Sequence, residues 1–139
     1  MYRWTVARVA RWAIQAAVEG RTGPATRMMA DDVSFDFPGS SSFAASTRTK
    51  DEMVAWVERF AALKPDYLVR DVIVTGPPWN TRVAVRLSDR IGDDYNNEGM
   101  QYLRMRWGKL ISEEVFLDTE KVVEFERRHP EVAPAAARA

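Results

Sequence analysis

The chain has 139 residues, 46% hydrophobic and 29% charged, a composition that fits one globular domain and excludes a disordered chain. Its 20 basic and 20 acidic residues cancel, which argues against a dedicated nucleic-acid binder. With no cysteine and a single histidine, His129, the chain cannot build disulfide scaffolds, thiol nucleophiles, thiolate-bound metals or His-pair metal sites.

The chemistry left is that of Asp, Glu, Lys, Arg, Tyr and Trp, or binding without chemistry. No apolar run approaches the ~20 residues of a membrane span. The first twenty residues have helical spacing. Arg8, Arg11, Gln15 and Glu19 share one stripe, with Val6, Val9, Ala13, Ala16 and Ala17 opposite and Trp12 at the border. That Arg-rich helix has the composition of a mitochondrial presequence, but nothing marks a cleavage site. The preferred reading is an ordinary first helix in a cytoplasmic protein. Gly20 ends it, and Gly23-Pro24 opens a short second helix that carries Met28 and Met29 inward and stops at Asp31-Asp32. Val33, Phe35 and Phe37 alternate with polar residues as a half-buried strand, closed by Pro38-Gly39. Residues 39–48 read as a loop.

Thr49 and Glu52 form a capping box ahead of Met53, Trp56, Val57 and Phe60, and Pro65 closes that helix. The period then changes to two. Strands are expected over 67–75, 82–89, 97–107 and 110–117, joined by Gly76-Pro77-Pro78, by a turn over 91–96, and by a tight Gly108-Lys109 hairpin. Asp118 and Thr119 can cap a last helix through Arg128. The domain is thus expected over 1–128, with 129–139 a disordered tail. The order is α+β: a curved antiparallel sheet, cone-shaped, with helices on its concave face and a pocket between them.

The residues Ala30-Asp31-Asp32-Val33 before a strand ending Phe37-Pro38-Gly39, the hairpin Gly76-Pro77-Pro78-Trp79-Asn80-Thr81-Arg82, and Arg104-Met105-Arg106-Trp107-Gly108-Lys109 leading into Val115-Phe116-Leu117-Asp118-Thr119 carry a resemblance. Over residues 3–126 the chain resembles the SnoaL-like branch of the nuclear transport factor 2-like superfamily. That superfamily includes ketosteroid isomerase, limonene epoxide hydrolase, scytalone dehydratase, polyketide cyclases and non-catalytic transport and association domains, so the resemblance implies a fold more firmly than an activity.

Known catalytic positions of these relatives read differently here. The isomerase base falls on Phe37, its first-helix Tyr on Ala13, and its oxyanion acid near Leu103. The hydrolase Arg-x-Asp pair falls on Leu87-Ser88-Asp89, which keeps one Asp without its Arg. The last-strand Asp, which polyketide cyclases also use, falls on Val115.

Asp89 is therefore the candidate acid/base. It shares the parity of Val83, Val85 and Leu87, and a carboxyl against apolar walls acquires a raised pKa. The alternative is a solvated strand-end carboxylate that caps the turn, the commoner arrangement near turns. Gln101 shares the face of Leu103 and Met105 and can orient a ligand carbonyl, or be an internally satisfied amide. Glu113 has the parity of Val115 and Leu117, and an Arg partner is expected for it. Phe35, Phe37, Trp56, Phe60, Leu87, Gln101, Leu103, Met105, Val115 and Leu117 are the candidate ligand-binding wall, or simply core. Asp93 to Glu98 lacks calcium-loop spacing, so no metal and no cofactor is expected. Arg82, Arg86, Arg104, Arg106 and Glu114, with Tyr102 and Phe116, form the opposite face of the sheet. It is either a solvated face with cross-strand ion pairs or a homodimer interface. The partners expected are a small apolar or amphipathic ligand and a second copy of the chain, with neither nucleic acid nor membrane. A non-catalytic binding or dimerisation module is the alternative to a cofactor-free isomerase, cyclase, dehydratase or epoxide hydrolase.

Overall fold

A computed structural model describes residues 1–134. Helix α1 (Tyr2–Val18) buries Ala10, Ala13, Ala16 and Ala17. Gly20 ends it in the left-handed conformation at φ 89°. Its N–H donates to the Ala17 carbonyl and that of Arg21 to Ala16, a Schellman stop. Helix α2 (Gly23–Met28) is followed without a break by strand β1 (Met29–Phe37). Met29 thus begins the strand and does not end the helix, and Asp31 and Asp32 lie within that strand. Residues expected to be loop include strand β2 (Ala45–Thr47), which pairs antiparallel with β1. Three residues of Ala, Ser and Thr carry no periodicity of their own, and only pairing with β1 makes them a strand.

Helix α3 (Lys50–Ala61) starts at the expected cap. Thr49 Oγ1 accepts from the Glu52 N–H at 3.3 Å and donates to the Glu52 carboxylate at 2.8 Å. Strands β3 (Asp66–Thr75), β4 (Thr81–Ile91), β5 (Tyr95–Arg106) and β6 (Lys109–Leu117) form the expected meander. Two turns are displaced from the sequence reading. The β4–β5 turn contains only residues 92–94, because pairing continues to Ile91 and Tyr95. The β5–β6 turn is Trp107-Gly108, not Gly108-Lys109, since Arg106 pairs with Lys109. The sheet order is β2-β1-β6-β5-β4-β3, antiparallel except where β1 runs parallel to β6.

Helix α1 packs along β3 and α3 along β1, so one face of the sheet is covered. Between them lies the main core, with Val33, Phe35, Val83 and Val85 fully buried. Helix α4 (Thr119–Arg128) is capped by Asp118, which accepts from the Glu120 N–H at 3.1 Å. It contributes Val122 and Phe125 to a second cluster with Phe43 and Tyr95. The chain expected to be a disordered tail from 129 continues as a 3-10 turn, Pro130–Val132. Val132 packs on the second cluster, and its carbonyl accepts from Arg59 at 3.3 Å. Residues 135–139 of that expected tail lie outside the described residues. Among the described residues, no helix is long and apolar enough to cross a membrane.

Candidate active site

Inward and outward residues alternate along β4, placing Val83, Val85, Leu87 and Asp89 on the covered face. Asp89 is consequently 6% exposed, and the solvated strand-end reading does not hold. The strand runs two residues past Asp89 before turning, which keeps the carboxyl off the surface. Asp89 faces Tyr67 on β3 and Asn97 on β5.

A cavity of about 130 Å³ opens in front of these residues. Its existence has a local cause. Helix α1 presents Ala10, Ala13 and Ala17 to it, and these short side chains leave space that Leu or Met would occupy. Of the expected wall, Phe37, Trp56, Phe60, Leu87, Gln101, Leu103, Met105, Val115 and Leu117 line the cavity, together with Asp89. Phe35 does not line it. It is fully buried behind Trp56, ring centroids 4.7 Å apart, and is core. Trp56 is held by its indole N–H, which donates to the Phe43 carbonyl at 2.8 Å, and it stacks on Phe60 at 5.5 Å.

Burial pushes the Asp89 carboxyl up to about 7; the charge of Asp66 adds to this and the Arg90 backbone N–H opposes it. Its Oδ1 is buried and has no hydrogen-bond partner. Glu113 is a second buried carboxyl on the same wall, also pushed up to about 7 by burial. Its partner is not the expected arginine. Gln101 Nε2 donates to Glu113 Oε2 at 3.4 Å, which partly offsets the burial. Gln101 pairs directly with Val115, so Glu113 is its diagonal neighbour across β5 and β6, within reach of a long side chain. Arg82 and Arg86 on β4 and Arg104 and Arg106 on β5 alternate with the inward residues and are exposed on the opposite face of the sheet. Gln101 Oε1 is buried and unpartnered.

Two tyrosines complete the polar lining without having been singled out by sequence. Burial raises the Tyr67 phenol well above its ordinary value, with Glu113, Asp89 and Tyr95 adding to the shift. Tyr95 is raised by burial and by Asp89. Its hydroxyl accepts from Asn97 Nδ2 at 3.1 Å, and the same amide donates to the Asp118 carbonyl at 2.9 Å. Tyr67 was legible in principle. A register shift between Val69 and Asp71 restores Val72 and Val74 to the inner face, and the broken alternation at Asp71 is its signal.

A carboxyl that titrates near 7 in an apolar wall is partly charged and partly neutral at neutral pH. It can take a proton from a bound molecule and return one. Ala13, Leu103, Val115 and Phe37, where relatives would place catalytic groups, all line the cavity as apolar surface. Among the described residues no group of three carboxylate or imidazole side chains is placed to hold a metal ion. Asp94 of the polar β4–β5 turn is instead paired with His129 Nε2 at 2.6 Å, which raises the imidazole pKa.

The mixed sheet wrapped on two helices has counterparts of the same fold among solved structures. An NTF2-like protein of unknown function from Burkholderia pseudomallei superposes with a TM-score of 0.72 at 17% identity, covering 84% of this chain and 93% of that one. This is the NTF2-like fold. Bal32a, from a soil-derived mobile gene cassette, gives 0.71 at 17% identity over 86% and 94% of the two chains. A steroid delta-isomerase from Pseudomonas aeruginosa gives 0.67 at 14% identity over 91% and 90%. Identities this low establish the fold alone. No protein-family profile matches the sequence, and no curated protein matches it.

Proposed function

We propose that this NTF2-like chain binds a small, largely apolar molecule and moves a proton on it without a cofactor, with Asp89 as the acid/base. The observation that carries the reading is the position of Asp89, a buried carboxyl with a pKa pushed up to about 7 in the wall of an apolar cavity. The carboxylate would take a proton from carbon or from water, and the acid so formed would return it at a second atom. Isomerisation, cyclisation, dehydration and epoxide opening all fit that cycle. Gln101, anchored on Glu113, would orient the polar end of the ligand. A cavity of about 130 Å³ suits a single-ring molecule, by comparison with apolar cavities of about 150 Å³ that take benzene. The steroid isomerase of similar fold supports proton transfer as a class, but the apolar Phe37, Ala13 and Leu103 argue for a different set of catalytic groups here.

The test uses a single-ring probe that needs a desolvated base: conversion of 3-cyclohexenone to 2-cyclohexenone, in which one C–H proton is removed at C2 and one returned at C4. The chain should accelerate it with a rate that rises through about pH 7, and Asp89→Asn should lose about a hundredfold. Acceleration unchanged in Asp89→Asn would end the catalytic assignment.

A second reading rests on the uncovered face of the sheet. Met100 and Phe116 pair directly there, and Phe116 is 52% exposed. A homodimer joined through that face would cover them, and the chain would then be an association module whether or not the cavity is catalytic. Phe116→Glu should convert a dimer to a monomer in sedimentation; a monomeric parent chain would exclude this reading.

A further inference from the structure

The end of the sheet where β4 starts and β5 stops has features unrelated to the cavity. The Tyr2 and Thr81 hydroxyls are 2.6 Å apart, which ties the start of α1 to the start of β4. The Trp107 N–H donates to the Pro78 carbonyl at 2.8 Å, and the Trp79 and Trp107 rings lie 5.9 Å apart. These contacts gather the first turns of α1, the 76–80 loop and the β5–β6 turn at one end of the molecule. Three indoles stand in solvent there: Trp4 at 61%, Trp79 at 57% and Trp107 at 68% exposure. Exposed apolar groups are ordinary when scattered singly, but a cluster of large ones marks a contact surface.

Trp107 is also conformationally strained. Both residues of its turn have positive φ, 50° at Trp107 and 78° at Gly108. Such turns favour Asn or Asp before Gly, and a bulky side chain there is an outlier. Nothing in the core compensates, because the ring points away from it.

The same segments carry charge of one sign. Residues 1–8 hold Arg3 and Arg8 and no acid, while Arg11, one turn further on, is tied to the Val69 carbonyl at 2.8 Å and lies away from this end. Arg82 follows the 76–80 loop, and residues 100–112 add Arg104, Arg106 and Lys109, again with no acid. Arg82 and Arg104 are directly opposite on β4 and β5, a like-charge pair that costs stability. Among the described residues, none of these cations is in an ion pair, so Arg82, Arg104 and Arg106 lack the cross-strand pairs of a solvated face, while Lys109 donates to the Arg27 carbonyl at 2.8 Å. Arg8 instead lies over the Trp4 ring, 4.7 Å from its centroid. These segments are one-signed although the chain's net charge is zero; acids lie next to them at Asp31 and Asp32, in the β1 stretch between Met29, opposite Leu110, and Ser34, opposite Ser112.

We propose that this end docks on the surface of an anionic lipid bilayer. The indoles of Trp4, Trp79 and Trp107 enter the headgroup layer, where amphipathic rings are favoured. The arginines meet the lipid phosphates. Single-stranded nucleic acid is the competing polyanion, but it calls for rings set as stacking platforms along a groove. Here Trp79 and Trp107 are tilted 43° to each other on a turn and a loop.

The test is co-sedimentation of the full chain with vesicles of phosphatidylcholine alone and of phosphatidylcholine with phosphatidylserine, read together with tryptophan fluorescence. Binding is expected on the phosphatidylserine vesicles only, with a blue shift, and should weaken as salt shortens the screening length. Arg82→Gln with Arg104→Gln should weaken it about fivefold per charge removed. Trp79→Ser with Trp107→Ser should cut the blue shift to what Trp4 alone gives; all four side chains are exposed, and a Tm no lower than the parent's confirms the fold. No binding to either vesicle, or equal binding to both, overturns the proposal. So does binding that survives both double variants, binding to an oligonucleotide but not to vesicles, or a patch whose only function is to hold two copies of the chain together.

Discussion

Asp89 and Tyr67 are direct cross-strand partners on β4 and β3, both turned toward the cavity. Burial acts on both in the same direction, keeping each neutral to a higher pH than it would be in water. An ionised Asp89 further opposes ionisation of the phenol, so the pair presents one titrating carboxyl beside one protonated hydroxyl.

Asp89 should make stability fall with rising pH. Its folded pKa of about 7 lies above the ordinary 3.8. The folded chain therefore holds a proton that the unfolded chain releases between those values. The stabilisation is complete below about pH 4 and is lost as pH rises through 7, to an extent of about 4 kcal/mol. The amide in Asp89→Asn stays neutral, so its Tm should fall less than the parent's between about pH 5 and pH 9. Parallel Tm profiles for the two proteins would contradict the assignment.

Gln101→Leu should raise the pKa of Glu113 further. The amide bond is the influence that pulls that carboxyl back toward its ordinary value. Carbon-detected titration of the Glu113 carboxyl would measure the change, and an unchanged or lower midpoint would show that the 3.4 Å contact has no effect in solution.

The second cluster depends on one charged clasp. Arg59 on α3 donates to the Ser42 carbonyl at 2.8 Å and lies 3.9 Å over the Phe43 ring, while Glu126 on α4 accepts from the Ser42 N–H at 3.1 Å. Glu126→Gln leaves Arg59 without its countercharge and should cost about 1–3 kcal/mol. Amide exchange should accelerate over residues 41–44 and along α4. Exchange that quickens uniformly across the sheet would instead indicate global destabilisation.

Glycine substitutions should separate backbone strain from collision. At Gly76, φ is 88° and an added Cβ would sit 2.1 Å from the Asn80 carbonyl oxygen. At Gly20, φ is 89° with nothing within 4 Å. Gly20→Ala should therefore cost only the left-handed penalty of about 1–2 kcal/mol. Gly76→Ala should cost at least about 3 kcal/mol, because the backbone must also move. Equal losses of Tm at the two sites would refute the clash.

Local signals were the readable ones. The Thr49 cap, the Gly20 stop and the alternation of Val83, Val85 and Leu87 each depend on neighbours within a few residues, and each stands as the sequence suggested. The inward turn of Asp89 followed from the same alternation. What was misread depended on distant chain. Residues 45–47 become a strand only because β1 supplies the pairing. Pro130–Val132 is ordered because Arg59 and the second cluster lie beneath it.

The amino-acid order by itself determined the α+β order of helices and strands apart from β2, the covered faces of β1, β4, β5 and β6, and the exclusion of thiol and His-pair chemistry, since composition and short-range periodicity suffice for these. Tertiary structure alone decided the rest. Whether Phe35 is wall or core, whether Glu113 meets an arginine or Gln101, and whether three alanines of α1 leave a hole are questions of which surfaces face one another across the fold. The gathering of Trp4, Trp79 and Trp107 with unpaired arginines is of the same kind. Those residues are separated by some hundred positions in the chain, and only the pairing of β4 with β5 and the Tyr2–Thr81 contact bring them to one end.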